Sequence, residues 1–540
     1  MNEEQTNIIS SEKFINQTIN YLNSLIRRGI YSESVDELLD MLINEIKSIE
    51  NLSVRQSYFK KLENKTIKCK RYKDYKNDHN SFYYLESTIK YENQKRNFEV
   101  SMYDIFYNII VGKGGLVFYD KLLTKYPYLL DLYDKDCNSI FLNIAKEYIE
   151  RNDEYLLTVV AYFLEKSTSS YKSEINKLRK IIREKKQIHK PSAYKLEKII
   201  NSYYPNNTKE KQTSLDKSYT RKPPYIKEHL KHGQIITPYD YKDRESLLDY
   251  MSFGLTNSKL VENSFYVDKK ENGKVSVYHH ISDVSDYLYN DSKMESDAEK
   301  QLFMKRHSNH TGSLFNPVFL REYASLNPGS EKLAITIRHD FDELGNYKGS
   351  YAFRSAIYIG PVFKKEDADE CIYNLDHKDL LTLYKLTKNL TGNPNLSPSN
   401  TIIKGITSLS SDYIKKMFIR SKTPGIYKDD YYIKGDDSSR EIKKYLRKKL
   451  DYNTYRDYEN LLKKMPSRIS DYTVFPEEES VLNIDAPFRN YLDYKNLKIL
   501  DDLIKKGKLS KGAINKLREE LIVLTSRANA VNLTRTKRKF

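Results

Sequence analysis

The chain has 540 residues, 39% hydrophobic and 12% aromatic, and a net charge of +17, which allows two to four packed domains and favours polyanionic partners such as nucleic acid without arguing for any fold. Cys69, Cys137 and Cys371 stand far apart with no CxxC spacing, which argues against a disulfide framework or a zinc site and for a reducing, cytoplasmic setting. The opening MNEEQTNIISSEKF lacks the basic and apolar regions of a signal peptide, no apolar run approaches the ~18 residues that span a bilayer, and no membrane partner is expected.

The first part reads as helical. Phe14, Ile15, Ile19, Leu22, Leu25 and Ile26 recur at helical spacing up to Gly29, and Ser34 followed by Glu37 forms a capping-box pattern before Leu38, Leu39, Leu42, Ile43 and Ile46. Residues 127–164 read as short paired helices with turns at Asp134–Asn138 and Arg151–Asp153. EINKLRKIIREKK is a basic amphipathic helix whose apolar face is Ile175, Leu178, Ile181 and Ile182; a solvated surface face is favoured over a phosphate site. Residues 1–204 therefore form an all-α region, with a protein partner as one expected role. Residues 205–235, with Pro205, Pro223 and Pro224, read as a basic linker. From 236 to 540 the pattern changes. KVSVYHHI and KLAITIRHDFD carry β-branched, partly alternating strands. DELGNYKG supplies turn chemistry, GSYAFRSAIYIGPVF is the returning strand, and helices dominate again from about Lys364. The expected class is α+β.

Four stretches occur in an order that resembles the RNB domain of the RNase II, RNase R and Dis3 exoribonucleases. ENGKVSVYHHISDVSDYL carries His280, Ile281, Asp283, Val284 and Ser285. YASLNPGSEKLAITIRHDFDELGNY carries Ser325, Leu326, Asn327, Pro328, Gly329, Leu333 and Ala334. FRSAIYIGPVFKKEDADECI resembles the next strand and helix start, and DAPFRNYLDYKNLKIL carries Pro487, Arg489, Tyr491 and Asp493. The resemblance covers about residues 240–530 and implies a β-sheet wrapped by helices, with His279 and His280 as scaffold.

The resemblance also implies hydrolysis of RNA from its 3′ end with Mg²⁺ held by a run of aspartates, hard oxygen ligands for a hard cation. Counted back without gaps from His280, those aspartates fall on Gly254, Asn257, Leu260, Glu262 and Asn263. Glu262 alone keeps a carboxylate, so this register implies an impaired centre with no bound metal. A rival register over ITPYDYKDRES places Asp240, Asp243 and Glu245 on acidic positions; it needs an insertion and would restore Mg²⁺-dependent exonuclease activity. In the last motif Ala486, Asn490, Leu497 and Lys498 depart from the family pattern. His307 and His310 have H-x-x-H spacing, but a surface loop is favoured over a metal site. The expected partner is single-stranded RNA, with Arg489 and Glu262 as candidate catalytic groups and Arg489, Tyr491, Asn327 and Lys259 as candidate RNA contacts. Tyrosines among Lys and Arg offer stacking faces beside phosphate contacts. A structural or assembly subunit is the third reading.

Overall fold

A computed structural model describes residues 3–28, 33–49, 52–66, 80–112, 115–136, 138–166, 171–205, 243–288, 292–304, 313–391, 395–432, 443–448, 450, 452–463 and 468–535. The chain divides into two compact units, one of Met1–Glu197 with Ile433–Ser467 and Leu533–Phe540, the other of Lys198–Tyr432 with Arg468–Asn532. Residues 433–467 thus belong with the first unit, whereas the sequence reading runs the second domain unbroken from 236 to 540. Nearly all of the expected linker, 206–235, lies outside the described residues. No described helix is long and apolar enough to cross a membrane.

The first unit is helical: α1 (Glu3–Arg28), α2 (Glu33–Ser48), α3 (Leu52–Lys65), α4 (Asn80–Val111), α5 (Gly115–Lys125), α6 (Ile140–Arg151), α7 (Glu154–Lys166), α8 (Lys172–Gln187) and the first half of α9 (Pro191–Tyr203), whose residues from Lys198 on belong to the second unit. Ile15, Ile19, Leu22 and Ile26 of α1 meet Leu39, Leu42, Ile43 and Ile46 of α2 in one apolar cluster, as the 3.6-residue period demands. Ser34 already lies within α2, so the expected cap does not sit at the helix boundary. Ser139 caps α6 by accepting the Leu142 N–H at 3.2 Å. On α8, Ile175, Leu178 and Ile182 are buried, and Lys185 and Lys186 pair with Glu150 and Glu197 at 2.8 and 2.7 Å. Those two charges serve ion pairs between helices. A buried carboxylate, Asp120, is met by the Tyr162 hydroxyl at 2.7 Å and by Lys166 at 3.1 Å.

The second unit is built on a closed barrel of β1 (Glu245–Leu255), β2 (Asn263–Lys269), β3 (Val275–Ser282), β4 (Ser330–Phe341) and β5 (Tyr347–Phe363). All neighbours are antiparallel except β1 and β5, which close the barrel in parallel. On β1 the register jumps from Leu247↔Ile357 to Met251↔Tyr358, a bulge that hides the period-2 signal and explains why ESLLDYMSFGL does not read as a strand. Strand residues alternate between two buried faces. Phe253, Leu255, Phe265, Val267, Val277 and Phe341 pack on α12 (Lys365–Tyr373), α13 (Lys378–Thr391) and α14 (Pro398–Ser421), while Leu247, Ala334, Phe353, Ile357 and Ile359 form a second cluster. The short helices α10 (Val284–Leu288) and α11 (Ser292–Gln301) follow β3. Strand β6 (Tyr427–Tyr432) pairs with β7 (Arg468–Thr473); between them in sequence lies α15 (Tyr452–Lys463), whose Asp457 pairs with Lys125 of α5 inside the first unit. Helices α16 (Tyr491–Lys506) and α17 (Lys511–Arg535) end the chain.

A buried charge network pins the barrel's closing edge. Arg244 donates to the carbonyls of Ala334 at 3.0 Å and Ser355 at 3.1 Å, pairs with Asp283, and reaches Asp286 at 2.9 Å. Arg354 of β5 bridges Asp286 at 3.0 Å and Asp501 of α16 at 2.8 Å. Burial works against a charge on Asp283, but the Arg244 guanidinium outweighs it and holds the carboxyl below its ordinary value. Removing one member of such a pair strands the other charge in the core. Asp283→Ala is expected to cost roughly 3–5 kcal/mol in urea unfolding, and a loss under about 1 kcal/mol would show that the network does not hold the barrel closed.

Candidate nucleic-acid interface

Glu262 leaves the loop between β1 and β2 and is 7% exposed. Its carboxylate accepts the Phe488 backbone N–H at 2.7 Å and the Arg489 Nε at 2.5 Å. The 486–490 turn is strapped from a second side: Met304 N–H donates to Arg489 O at 2.8 Å, Leu314 N–H to Phe488 O at 3.1 Å, and Tyr491 N–H to Leu302 O at 2.8 Å. Asn490 caps α16 by accepting the Leu492 N–H at 3.0 Å, and its amide donates to Asp493 at 2.6 Å. The asparagine that departs from the family pattern is therefore the residue that starts the helix. Arg489 keeps half of its side chain exposed.

Two further carboxyls stand beside Arg489. Asp493 is 5% exposed; burial, with the nearby charges of Asp485 and Glu262, raises it well above the ordinary carboxylate range. Asp485 is raised by burial, with Arg489 pulling the other way. For Glu262, burial outweighs the Arg489 charge and the Phe488 hydrogen bond, and the carboxyl is pushed up to about 7. Arg489 thus pairs directly with Glu262 and acts on Asp485 and Asp493 only through its charge. Asp485 has no motif signal; its position after β7 and before Pro487 was the available clue.

The structure gives each position of the ungapped register another task. Gly254 lies against Val362 and Val261, where an added Cβ would stand at 3.0 and 3.2 Å, leaving no room for a carboxylate without movement. Asn257 accepts the Lys365 N–H at 2.8 Å and donates to Glu366 at 3.0 Å, tying the loop to the start of α12. Leu260 is apolar, and Asn263 spans His279 and the Asp485 carbonyl at 3.1 and 2.8 Å. Among the described residues no three His, Cys, Asp or Glu side chains form a group that could hold a metal ion. The donors at these positions do not fit a pair of Mg²⁺ ions. Of the rival register, Asp240 lies outside the described residues, as do His307 and His310; Asp243 and Glu245 are exposed on either side of buried Arg244.

The other expected RNA contacts separate. Lys259 is exposed in the Glu262 loop. Asn327 accepts from Ser325 at 2.8 Å and donates to the Arg321 carbonyl at 2.7 Å, so both its polar ends shape a turn. Tyr491 corrects the expectation: it is 1% exposed and packs on Tyr494 with ring centroids 5.4 Å apart, so no face is open to a base.

Behind Asn263 runs a hydrogen-bond chain through the histidines. His279 meets Asn263 at 3.1 Å and Ser410 at 2.8 Å; His339 meets Ser410 at 2.9 Å and Ser350 at 2.6 Å; Tyr347 meets Ser350 at 2.8 Å. A carbonyl only accepts, so Asn263 turns its NH₂ to Asp485 and its oxygen to a protonated His279 Nε2. Ser410 then donates to His279 Nδ1 and accepts from His339 Nε2, Ser350 donates to His339 Nδ1, and Tyr347 donates to Ser350. Burial lowers His339 to about 3 and His279 well below its ordinary value. Both rings are neutral parts of the core.

With this geometry established, the family follows. Residues 254–530 match the model of the RNB domain, and the chain belongs to that family. A stretch of 146 residues is 27% identical to Ribonuclease R of Aquifex aeolicus, covering 27% of this chain and 20% of the relative; the match thus spans about a fifth of that relative's length. Among solved structures, Mycoplasma genitalium RNase R in complex with ribose-methylated single-stranded RNA aligns with 15% identity and a TM-score of 0.44, over 56% of this chain and 59% of that one. Yeast Ssd1, described as a pseudonuclease, aligns with 15% identity and a TM-score of 0.39, over 56% and 46%.

Glu262→Ala would orphan the buried Phe488 N–H and is expected to cost roughly 2–3 kcal/mol in urea unfolding, whereas Glu262→Gln keeps an acceptor and should cost less than about 1 kcal/mol; equal costs would mean that the Phe488 bond carries nothing. The histidines give a pH test. A depressed folded pKa contributes stability that is full above about 6.5 and lost as pH falls towards 3. Glu262 and Asp501, raised to about 7 and about 6, act in the opposite sense, so the comparison must isolate one ring. His339→Gln should destabilise more at pH 7.5 than at pH 5, by up to about 2 kcal/mol, and a difference independent of pH would contradict a neutral His339.

Proposed function

We propose that this chain is an RNB-fold protein that binds single-stranded RNA without hydrolysing it. One observation carries the reading: the carboxylate left in the ungapped register, Glu262, is engaged by the Phe488 N–H and by Arg489. The same loop presents a half-exposed Arg489 and an exposed Lys259. A guanidinium anchored on one edge by a buried acid and open on the other suits a phosphate oxygen. The net charge of +17 adds a nonspecific electrostatic attraction that salt weakens. Arg489 acts as a positioned phosphate contact, and Mg²⁺ is not part of the site.

The test is incubation of the full chain with 5′-labelled single-stranded RNA and Mg²⁺ or Mn²⁺, read on a denaturing gel beside a filter-retention assay. Retention that falls with salt and leaves the RNA at full length is expected. A ladder shortened from the 3′ end would return the chain to the active enzymes, and absence of retention at low salt would leave an assembly role. Arg489→Ala should weaken binding roughly three- to tenfold and flatten the salt slope by about 0.7, as for one phosphate contact on a single strand; unchanged affinity and slope would remove Arg489 from the interface.

A further inference from the structure

At the outer end of the histidine chain, the second unit has a cleft of about 620 Å³ lined by the turn-proximal end of β5, the last turns of α14 and the end of α16. That is within the range of small-molecule sites. Its lining includes Tyr347 and Tyr413, and its cations are Lys348, Lys416 and Arg420. Lys416 pairs with Asp412 at 2.6 Å in an exposed i,i+4 bridge, a weak pairing that a ligand can exchange. Lys348 is held from outside the lining by Asp342 at 2.8 Å. Arg420 stands exposed in the last turn of α14. The C-terminal dipoles of α14 and α16 each bring about half a negative charge; with Asp412 and Asp342 these about balance the three cations, so the cation left without a carboxylate partner among the described residues is Arg420.

Two features go beyond charge. Gly349 and Gly507 both line the cleft with nothing within 4 Å of an added Cβ. Gly507 has a positive φ of 68° that calls for glycine, but Gly349 has no such angle and keeps space open without a backbone reason. The direction of the hydrogen-bond chain also fixes the Tyr347 hydroxyl. Its proton is spent on Ser350, so its oxygen is left to act as an acceptor. The cleft therefore combines cationic donors, an oriented hydroxyl and two tyrosines in its lining.

We propose that this cleft is a second ligand site, taking a nucleotide: phosphate on Arg420 and Lys416, ring against Tyr347 and Tyr413, and a sugar hydroxyl or base amine donating to the Tyr347 oxygen. The same chemistry is offered by a free nucleoside monophosphate and by one nucleotide of an RNA strand. The site is separate from Arg489 and stands whether or not RNA binds there.

Calorimetric titration of the full chain with uridine monophosphate, uridine, inorganic phosphate and a short oligouridylate separates the cases. Uridine monophosphate should bind at least about tenfold more tightly than uridine or phosphate alone. Arg420→Ala, an exposed change, and Gly349→Val, which fills the open space with a strand-favouring side chain, should each weaken it about tenfold, with unfolding midpoints unchanged. Arg489→Ala should leave it intact. The ring-nitrogen NMR shifts of His339, reached through Ser350, should move on binding, and in Arg420→Ala should need about tenfold more ligand to move as far. Binding of the oligouridylate alone, sensitive to Arg420, would assign the site to a strand. The proposal is overturned if neither ligand binds, or if binding ignores both variants.

Discussion

The second unit depends on one buried arginine. Arg244 has no exposed side-chain surface, and taking a guanidinium out of water costs several kcal/mol unless its hydrogens are met. Here the two terminal nitrogens meet two carbonyls on neighbouring strands and two aspartates after β3, while the Nε–H is buried without a partner among the described residues. The chain enters β1, the strand that closes the barrel, through this residue. Asp283, which belongs to a stretch resembling a nuclease motif, is therefore committed to holding the barrel shut. Much of what makes the sequence resemble an enzyme is a resemblance of scaffold.

Glu262 follows the same rule at the other loop. A carboxylate buried this deeply must be neutralised or hydrogen-bonded, and Arg489 with the Phe488 N–H does both. A guanidinium 2.5 Å away already occupies this carboxylate. The clamp and a metal ligand are competing uses of one side chain, and the neighbouring amides of Asn257 and Asn263 are likewise spent on the protein itself. The result is a loop fixed by its own polar groups, with the open edge of Arg489 left for a ligand.

What the sequence discloses follows range. Strands β3, β4 and β5 show in their β-branched runs because both their faces are buried, and the turn between β4 and β5 shows because Asp342, Gly345 and Asn346 carry its chemistry locally. β1 is hidden by its bulge, and the β6–β7 hairpin by an insertion whose residues belong to the other unit. Arg244 reads as one charge among acids because its partners lie 39 to 111 residues away. Tyr491 matches a motif by type, but its burial depends on Tyr494 and on the helix that Asn490 starts. Arg489 was legible, its partner Glu262 only through the register, and Asp485 only by its place two residues before Pro487. Where a side chain's role is set by distant contacts, residue type and spacing carry no trace of it.

The histidine chain shows why the two halves of this site are differently adaptable. Every bond between the Asp485 carbonyl and Tyr347 has a fixed direction, because the carbonyl end can only accept and each neutral member then passes that sense outward to Tyr347. Reversing one member would leave a buried donor facing a donor, at a cost of roughly 1–3 kcal/mol for each group left unsatisfied. The Asp485 turn is thus positioned by a neutral, buried array that does not titrate near neutrality, while the exposed edge of Arg489 and the cleft beside Tyr347 remain free to reorganise with solvent. A ligand at either place meets a preset backbone and movable cations. That combination lowers the ordering cost of binding without requiring the core to move.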